Sequence, residues 1–164
     1  MIGMFDSGSG GLTVLHALRK KAKNADTIYF GDIINAPYGE KSLEELAILT
    51  RKGVALLRAR GASAIVSACN SVSTSVLAGA AGEMRFIEMS RPTANFMRQY
   101  AGQRFLLIAT PATVESGLYQ QALRGIVNID ALPIPGLAGA IEFDEPEARV
   151  TRLLQEAFAS RRNR

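Results

Sequence analysis

The chain opens on a short apolar run, Ile2-Gly-Met-Phe5, followed at once by the loop Asp6-Ser-Gly-Ser-Gly-Gly11. Leu12, Val14, Leu15 and Leu18 then recur at helical spacing, with Arg19, Lys20 and Lys21 in the last turn, where cations suit the helix dipole. The pattern reads strand, glycine loop, helix. Thr27-Ile-Tyr-Phe30 is β-branched and aromatic and predicts a second strand, closed by Gly31-Asp32. Residues 33–41 hold Pro37-Tyr38-Gly39, where proline and glycine oppose regular structure and set Tyr38 on a loop. Ser42 with Glu45 three residues on is a capping box for a helix running to about Arg60, with Leu46, Leu49, Val54, Leu56 and Leu57 on its apolar face.

The run Ala64-Ile-Val-Ser-Ala predicts a buried strand that delivers Cys69 to the start of a helix from about Ser71 to Ala81. Asn70 and Ser71 are helix-capping residue types, and a thiol near the positive end of a helix is biased toward thiolate. A short strand follows at Phe86 to Met89, Arg91-Pro92 marks a joint, and Thr93 to Tyr100 reads as helical. Arg104-Phe-Leu-Leu-Ile-Ala109 predicts a strong buried strand that starts a second unit. Thr110-Pro-Ala-Thr113 then caps a helix from about Val114 to Leu123. Ile126 to Leu132 is a weaker strand, Pro133 and Pro135 break the chain, and Glu145 to about Ser160 is amphipathic and helical with Pro146 at its start. Strands alternating with helices predict an α/β fold, a parallel sheet flanked by helices, in units spanning 1–92 and 93–164. Loops leaving the C-terminal ends of such strands form the ligand crevice, and Asp6, Tyr38, Cys69 and Thr110 to Thr113 all follow predicted strands.

Length and composition sharpen this only in part. The 164 residues suit one domain with a proper core, or one domain plus part of another. No segment approaches the apolar length of a membrane span, and Met1 to Phe5 runs into Asp6 without a basic flank or cleavage site, so a cytoplasmic location is expected. One cysteine cannot form an internal disulfide, and one histidine, His16, cannot build a Cys/His metal site with it, so no metal is expected. Much of the net charge of +4 lies in Arg161-Arg162-Asn163-Arg164; without those arginines it is about +1. No aromatic residue interleaves that tail, and no nucleic-acid partner is expected from it.

Several features carry a plain and a functional reading. The loop after the first strand imitates a dinucleotide fingerprint, with Gly8 and Gly10 in the first two positions. Thr13 then occupies the third, where close packing demands glycine or alanine, and Asp6 would repel a pyrophosphate. No Gly-Lys-Ser/Thr follows to make a P-loop. A lone cysteine is more often core than catalyst, but Cys69 falls at a strand-to-helix junction beside two polar side chains, where reactive thiols are placed. His16 lies among Leu15, Ala17 and Leu18 and reads as a solvated or satisfied helix residue. Tyr38 taken alone would be a surface aromatic, and Thr113 a helix cap.

Taken as an ordered set, these motifs can be named. Asp6-Ser7-Gly8-x-Gly10-Gly11-Leu12-Thr13-Val14, Tyr29-Phe30-Gly31-Asp32, Pro37-Tyr38-Gly39-Glu40-Lys41, Ala68-Cys69-Asn70-Ser71 and Thr110-x-Ala112-Thr113-Val114-x-Ser116-x-x-Tyr119 resemble the glutamate racemases, of the cofactor-independent aspartate/glutamate racemase superfamily. The resemblance covers nearly the whole chain in order. It implies a pseudo-symmetric α/β enzyme in which two cysteines, one from each half, face opposite sides of the substrate Cα, one removing the α-proton and the other returning a proton. By motif, Cys69 is the first catalytic thiol and Asp6 its acidic neighbour. Ser7, Tyr38, Gly39, Asn70, Ser71 and Thr113 hold the substrate's carboxylates and ammonium. The implied activity interconverts L- and D-glutamate for peptidoglycan synthesis, without a cofactor.

The departures are equally definite. The family's second cysteine lies in a Gly-Cys-Thr-His motif that this sequence does not contain, so the resemblance implies a first unit plus an incomplete second one, a C-terminally truncated form. With one cysteine, two-base racemisation cannot occur within this chain. Ser90-Arg91-Pro92 stands where the family has an acidic residue before the proline, and Ala109 replaces a glycine before Thr110. The rival reading is a non-catalytic amino-acid-binding or interaction module derived from that fold. Glutamate is the expected small-molecule partner, and an incomplete second unit leaves apolar surface for self-association into a homo-oligomer.

Overall fold

A computed structural model describes residues 1–143 and 147–162. Glu145 and Pro146, expected to open the last helix, lie outside the described residues, as do Asn163 and Arg164 of the basic tail. Strand β1 (Ile2–Asp6) is central to the first sheet, pairing in parallel with β2 (Thr27–Gly31) on one side and β3 (Ala64–Ser67) on the other. The short β4 (Arg85–Ile87) extends that sheet beyond β3, giving the order β2-β1-β3-β4. A second sheet pairs β5 (Arg104–Ala109) in parallel with β6 (Asn128–Pro133). The parallel α/β architecture expected from the sequence is therefore present, as two sheets.

Helix α1 (Leu12–Lys21) ends in its three cations as expected, yet it buries no residue, and Leu12 is half exposed. Helix α2 (Leu43–Ala59) starts at the Ser42 capping box: Ser42 Oγ accepts from Glu45 N–H while the Glu45 carboxylate accepts from Ser42 N–H at 2.9 Å. Its Leu46, Val54 and Leu57 are buried against Phe5 and Ile65 of the central strands, while Leu56 turns to solvent. Full burial of side chains of this size contributes about 1.5–3 kcal/mol each. The segment expected to be irregular winds instead into two 3-10 turns, Ile33–Asn35 and Tyr38–Glu40.

Four further expectations are corrected. Helix α3 (Thr74–Ala81) is capped by Ser73, whose Oγ accepts from Val76 N–H, so the helix begins three residues later than Ser71. Arg91 and Pro92 are no break: they fall in the first turn of α4 (Ser90–Met97), where Pro lacks only an N–H that the helix leaves unused. The single helix expected over 114–123 is two, α5 (Pro111–Glu115) and α6 (Leu118–Ala122), parted by Gly117 in the left-handed region at φ +64°. Strand β5 is only partly buried, with Ile108 40% exposed, because among the described residues it has a strand neighbour on one side alone. Beyond the proline break, α7 (Leu137–Glu142) was not anticipated, and α8 (Glu147–Arg162) is the final helix. Among the described residues, no helix is long and apolar enough to cross a membrane.

Candidate functional site

The C-terminal ends of β1, β3 and β5 open onto one cavity of about 580 Å³. Asp6, Ser7, Cys69, Asn70, Ser71 and Thr113 all line it, so six of the eight residues singled out from the sequence converge. Tyr38 and Gly39 do not line it. The Tyr38 ring is buried against Phe5 and its hydroxyl donates to Asp32 Oδ2 at 2.7 Å, so it is not the surface aromatic that it would be taken alone, and the substrate-binding role implied by the resemblance is not one of direct lining. Gly39 packs against Thr110, which does line the cavity. A Cβ on Gly39 would overlap the Thr110 side chain, so only glycine lets Thr110 approach. His16 is exposed on α1, away from these residues.

Cys69 is 5% exposed and its Sγ lies 3.3 Å from Ser7 Oγ. As a neutral thiol it donates to Ser7; as a thiolate it accepts the Ser7 proton. Burial pushes the thiol up from its ordinary value, and the neighbouring Asp6 carboxylate pushes the same way. Hydrogen bonds from Ser7 and from the backbone N–H groups of Ser71 and Val72 pull it down without winning. The sequence expectation of a thiolate favoured by a helix N-terminus is overturned. The helix starts at Thr74, and the turn after Cys69 supplies two N–H groups in place of a helix end.

Asp6 is buried and its Oδ2 is held by Gly11 N–H at 2.8 Å, Gly8 N–H at 3.3 Å and the Tyr29 hydroxyl at 3.3 Å. This grip explains the glycine loop: a Cβ at Gly11 would stand 2.8 Å from Asp6 Cβ. The loop's N–H groups of Gly8 and Gly11 are thus turned onto a carboxylate of the chain itself.

Two links join the layers around the two sheets across the cavity. Ser71 Oγ is 3.1 Å from Thr110 Oγ1, which is in turn 3.0 Å from Thr113 Oγ1. The Tyr119 hydroxyl donates to Asn70 Oδ1 at 2.5 Å. Thr110 also caps α5 by accepting from Thr113 N–H, so the capping role expected of Thr113 belongs to Thr110.

Among the lining residues to which the sequence gave no site role, three make hydrogen bonds across the cavity. Thr110 and Tyr119 stood in the quoted motifs without a site role. Glu142, at the end of α7, faces the Asp6 loop and accepts from Ser9 N–H at 2.8 Å across 133 residues. Only the β1 to α1 loop and an unforeseen helix meeting in space reveal it. Two carboxylates line the cavity, and no arginine, lysine or histidine does among the described residues.

No family model matches the chain. A glutamate racemase from Ruegeria sp. (strain TM1040) is 36% identical over 160 residues, covering 86% of this chain and 60% of that protein. Among solved structures, a glutamate racemase isoform from Bacillus anthracis superposes with a TM-score of 0.81 at 27% identity, over 98% of this chain and 63% of its own. A glutamate racemase from Francisella tularensis in complex with D-glutamate gives 0.76 at 29% identity, over 85% of this chain and 55% of its own. The chain thus spans between 50% and 64% of the length of the curated relatives it matches.

Proposed function

We infer, from the membership of this chain in the glutamate racemase family, that it carries the first half-site of a thiol-based α-proton transfer on glutamate. The observation that carries this reading is the meeting of Cys69, Ser7 and Asp6 with the Ser71, Thr110 and Thr113 hydroxyls around one cavity. Cys69 is the proton-abstracting group and Asp6, held by three donors, is the acid that receives or orients that proton.

The electrostatics suit an amino acid. Asp6 and Glu142 favour the substrate ammonium, while its carboxylates depend on neutral donors: Ser7, Asn70, Ser71 and Thr113. Tyr38 and Gly39 act indirectly, Tyr38 by packing on Phe5 and Gly39 by admitting Thr110. Burial keeps the resting thiol protonated, and the arriving ammonium offsets the Asp6 charge that opposes thiolate formation. A Cα–H is a very weak acid, so base placement, donors to the carboxylate and exclusion of water must act together.

A racemase needs a second group on the opposite face of Cα, and the sequence has no second cysteine. Racemisation of glutamate for peptidoglycan synthesis is therefore the activity of a complete two-thiol site, to which this chain contributes one thiol. Titration calorimetry with L- and D-glutamate tests the half-site. Binding that weakens in Ser71→Ala and Thr113→Val supports it; the absence of any heat of binding contradicts it. A circular-dichroism assay of glutamate should show no inversion by this chain.

A further inference from the structure

We propose that Tyr29 is a positioning residue for the Asp6 carboxylate, holding Oδ2 as a fixed anchor so that Oδ1 is the oxygen that exchanges a proton in the cavity. The placement begins with strand alternation. In β2, Ile28 and Phe30 pack on the cluster around Phe5, so Tyr29 and Gly31 share the opposite face. The register of β2 on β1 sets Gly31 beside Asp6. A Cβ on Gly31 would stand 2.5 Å from Gly8 O and 3.0 Å from Tyr29 Cε1, so its missing side chain is what lets the glycine loop fold back over β2 to meet the phenol.

The hydroxyl acts on Asp6 by two routes. It donates to Gly8 O at 2.7 Å and reaches Asp6 Oδ2 at 3.3 Å, one proton shared between two acceptors. Gly8 N–H donates to the same Oδ2 at 3.3 Å, so the phenol, Gly8 and the carboxylate close a ring. Gly11 N–H completes the grip at 2.8 Å. Among the described residues Tyr29 is the only side chain in this grip, and it also sets the stance of a second donor, Gly8.

All of these bonds fall on Oδ2. No donor reaches Oδ1 among the described residues, although the side chain is buried. The fully enclosed side-chain oxygens without a partner are those of Thr50, Ser67 and Gln120. Oδ1 is not one of them, so it opens on the cavity that Asp6 lines together with Ser7 and Cys69. The two oxygens therefore have different tasks: Oδ2 carries charge spread over fixed dipoles, and Oδ1 is free to take a proton. A proton passing from the Cys69 thiol to Oδ1 breaks S–H, forms O–H and leaves the sulfur its electron pair, and no bond on Oδ2 has to be remade. The phenol keeps its own proton throughout, because burial first and then the facing Asp6 carboxylate, with Glu142 and Cys69 beyond, push it well above the usual tyrosine value. The part played in proton transfer rests on the glutamate half-site; the hold of Tyr29 on Asp6 does not.

Tyr29→Phe tests the proposal, since the ring and its packing stay while the hydroxyl goes. Exchange of the glutamate α-proton in D2O should fall about tenfold at saturating substrate, the worth of one hydrogen bond to a charged group, with the half-saturating concentration unchanged. A purely structural role would loosen the glycine loop that lines the cavity and weaken affinity as well. Iodoacetamide labelling of Cys69 gives a readout without glutamate. With the phenol gone, more of the Asp6 charge faces the thiol, so labelling should slow; a merely loosened loop would expose the thiol and speed it. The slowing should vanish in an Asp6→Asn background, because the two side chains act as one unit. Far-UV circular dichroism checks folding. If Tyr29→Phe does not fold, Tyr29→fluorotyrosine, a stronger donor of nearly the same shape, should speed labelling, and an unchanged rate there overturns the proposal. Labelling that is unchanged or faster in Tyr29→Phe, or that slows equally in Asp6→Asn, also overturns it, as does weakened affinity without a fall in the saturated rate. Slowed, Asp6-dependent labelling in a chain that exchanges no α-proton supports the hold on Asp6 and counts against the glutamate half-site.

Discussion

The Tyr119 hydroxyl donates to Asn70 Oδ1 at 2.5 Å, tying α6 to the turn that follows Cys69. Tyr119 is buried within the cluster that packs on β5, beside Ala94 and Leu123, so it is a rigid post. Asn70 is exposed and takes its orientation from that post. The Cys69 turn is thereby held by a residue 49 positions away.

Tyr119→Phe keeps the packing and removes the bond. It should cost about 1 kcal/mol in denaturant unfolding, the usual net worth of one hydrogen bond. It should also speed alkylation of Cys69 by loosening the turn, measured as the rate of iodoacetamide labelling. Asn70→Ala should do the same, and the double variant should add little, because both remove one interaction.

Gly39→Ala drives a methyl into the Thr110 side chain. Thr110 cannot retreat without releasing Ser71 and the α5 cap. Overpacking of this kind costs about 1–3 kcal/mol, and glutamate binding should fall with stability, because the Ser71, Thr110 and Thr113 hydroxyls move together. Paired thermal melts and calorimetry check both effects.

The buried Cys69 thiol is held above its ordinary value, so iodoacetamide labelling should rise only at pH above the usual thiol range. The linked stability has a definite sign. Between the unfolded and folded thiol values the unfolded chain has lost a proton that the folded chain keeps, so stability is full below the unfolded value and falls as pH rises through the folded one. Cys69→Ala should abolish that first alkaline loss. The Tyr29 and Tyr38 hydroxyls, raised chiefly by burial and bonded to Asp6 and Asp32, should still give a later loss of the same sign. Denaturant midpoints across an alkaline pH series decide it.

What the sequence made legible was local. The Ser42 and Glu45 box fixed the start of α2 because both partners lie within one turn. The five longer strands followed from short apolar or β-branched runs. The start of α3 was misjudged because Asn70, Ser71, Ser73 and Thr74 can all cap a helix, and packing of the Cys69 turn selects Ser73. The split of α5 from α6 depends on the sign of φ at Gly117, which composition does not reveal. At the site, the residues following β1, β3 and β5 were legible because strand ends converge in a parallel sheet. Glu142 was not, because its contact with Ser9 spans 133 residues and belongs to no local pattern. The burial of Tyr38 is illegible for the converse reason: proline and glycine beside it signal a loop, while the Phe5 ring it packs on is 33 positions away in the chain.

On the proposed reading, Cys69 takes the α-proton from glutamate and this chain holds no partner thiol to complete an inversion. Proton NMR of L- and D-glutamate incubated with the chain in D2O reads that step alone. Loss of the α-proton signal from one enantiomer, without inversion and abolished by Cys69→Ala, is the expected result. Exchange that persists in Cys69→Ala, or a complete absence of exchange in the intact chain with glutamate bound, would contradict it.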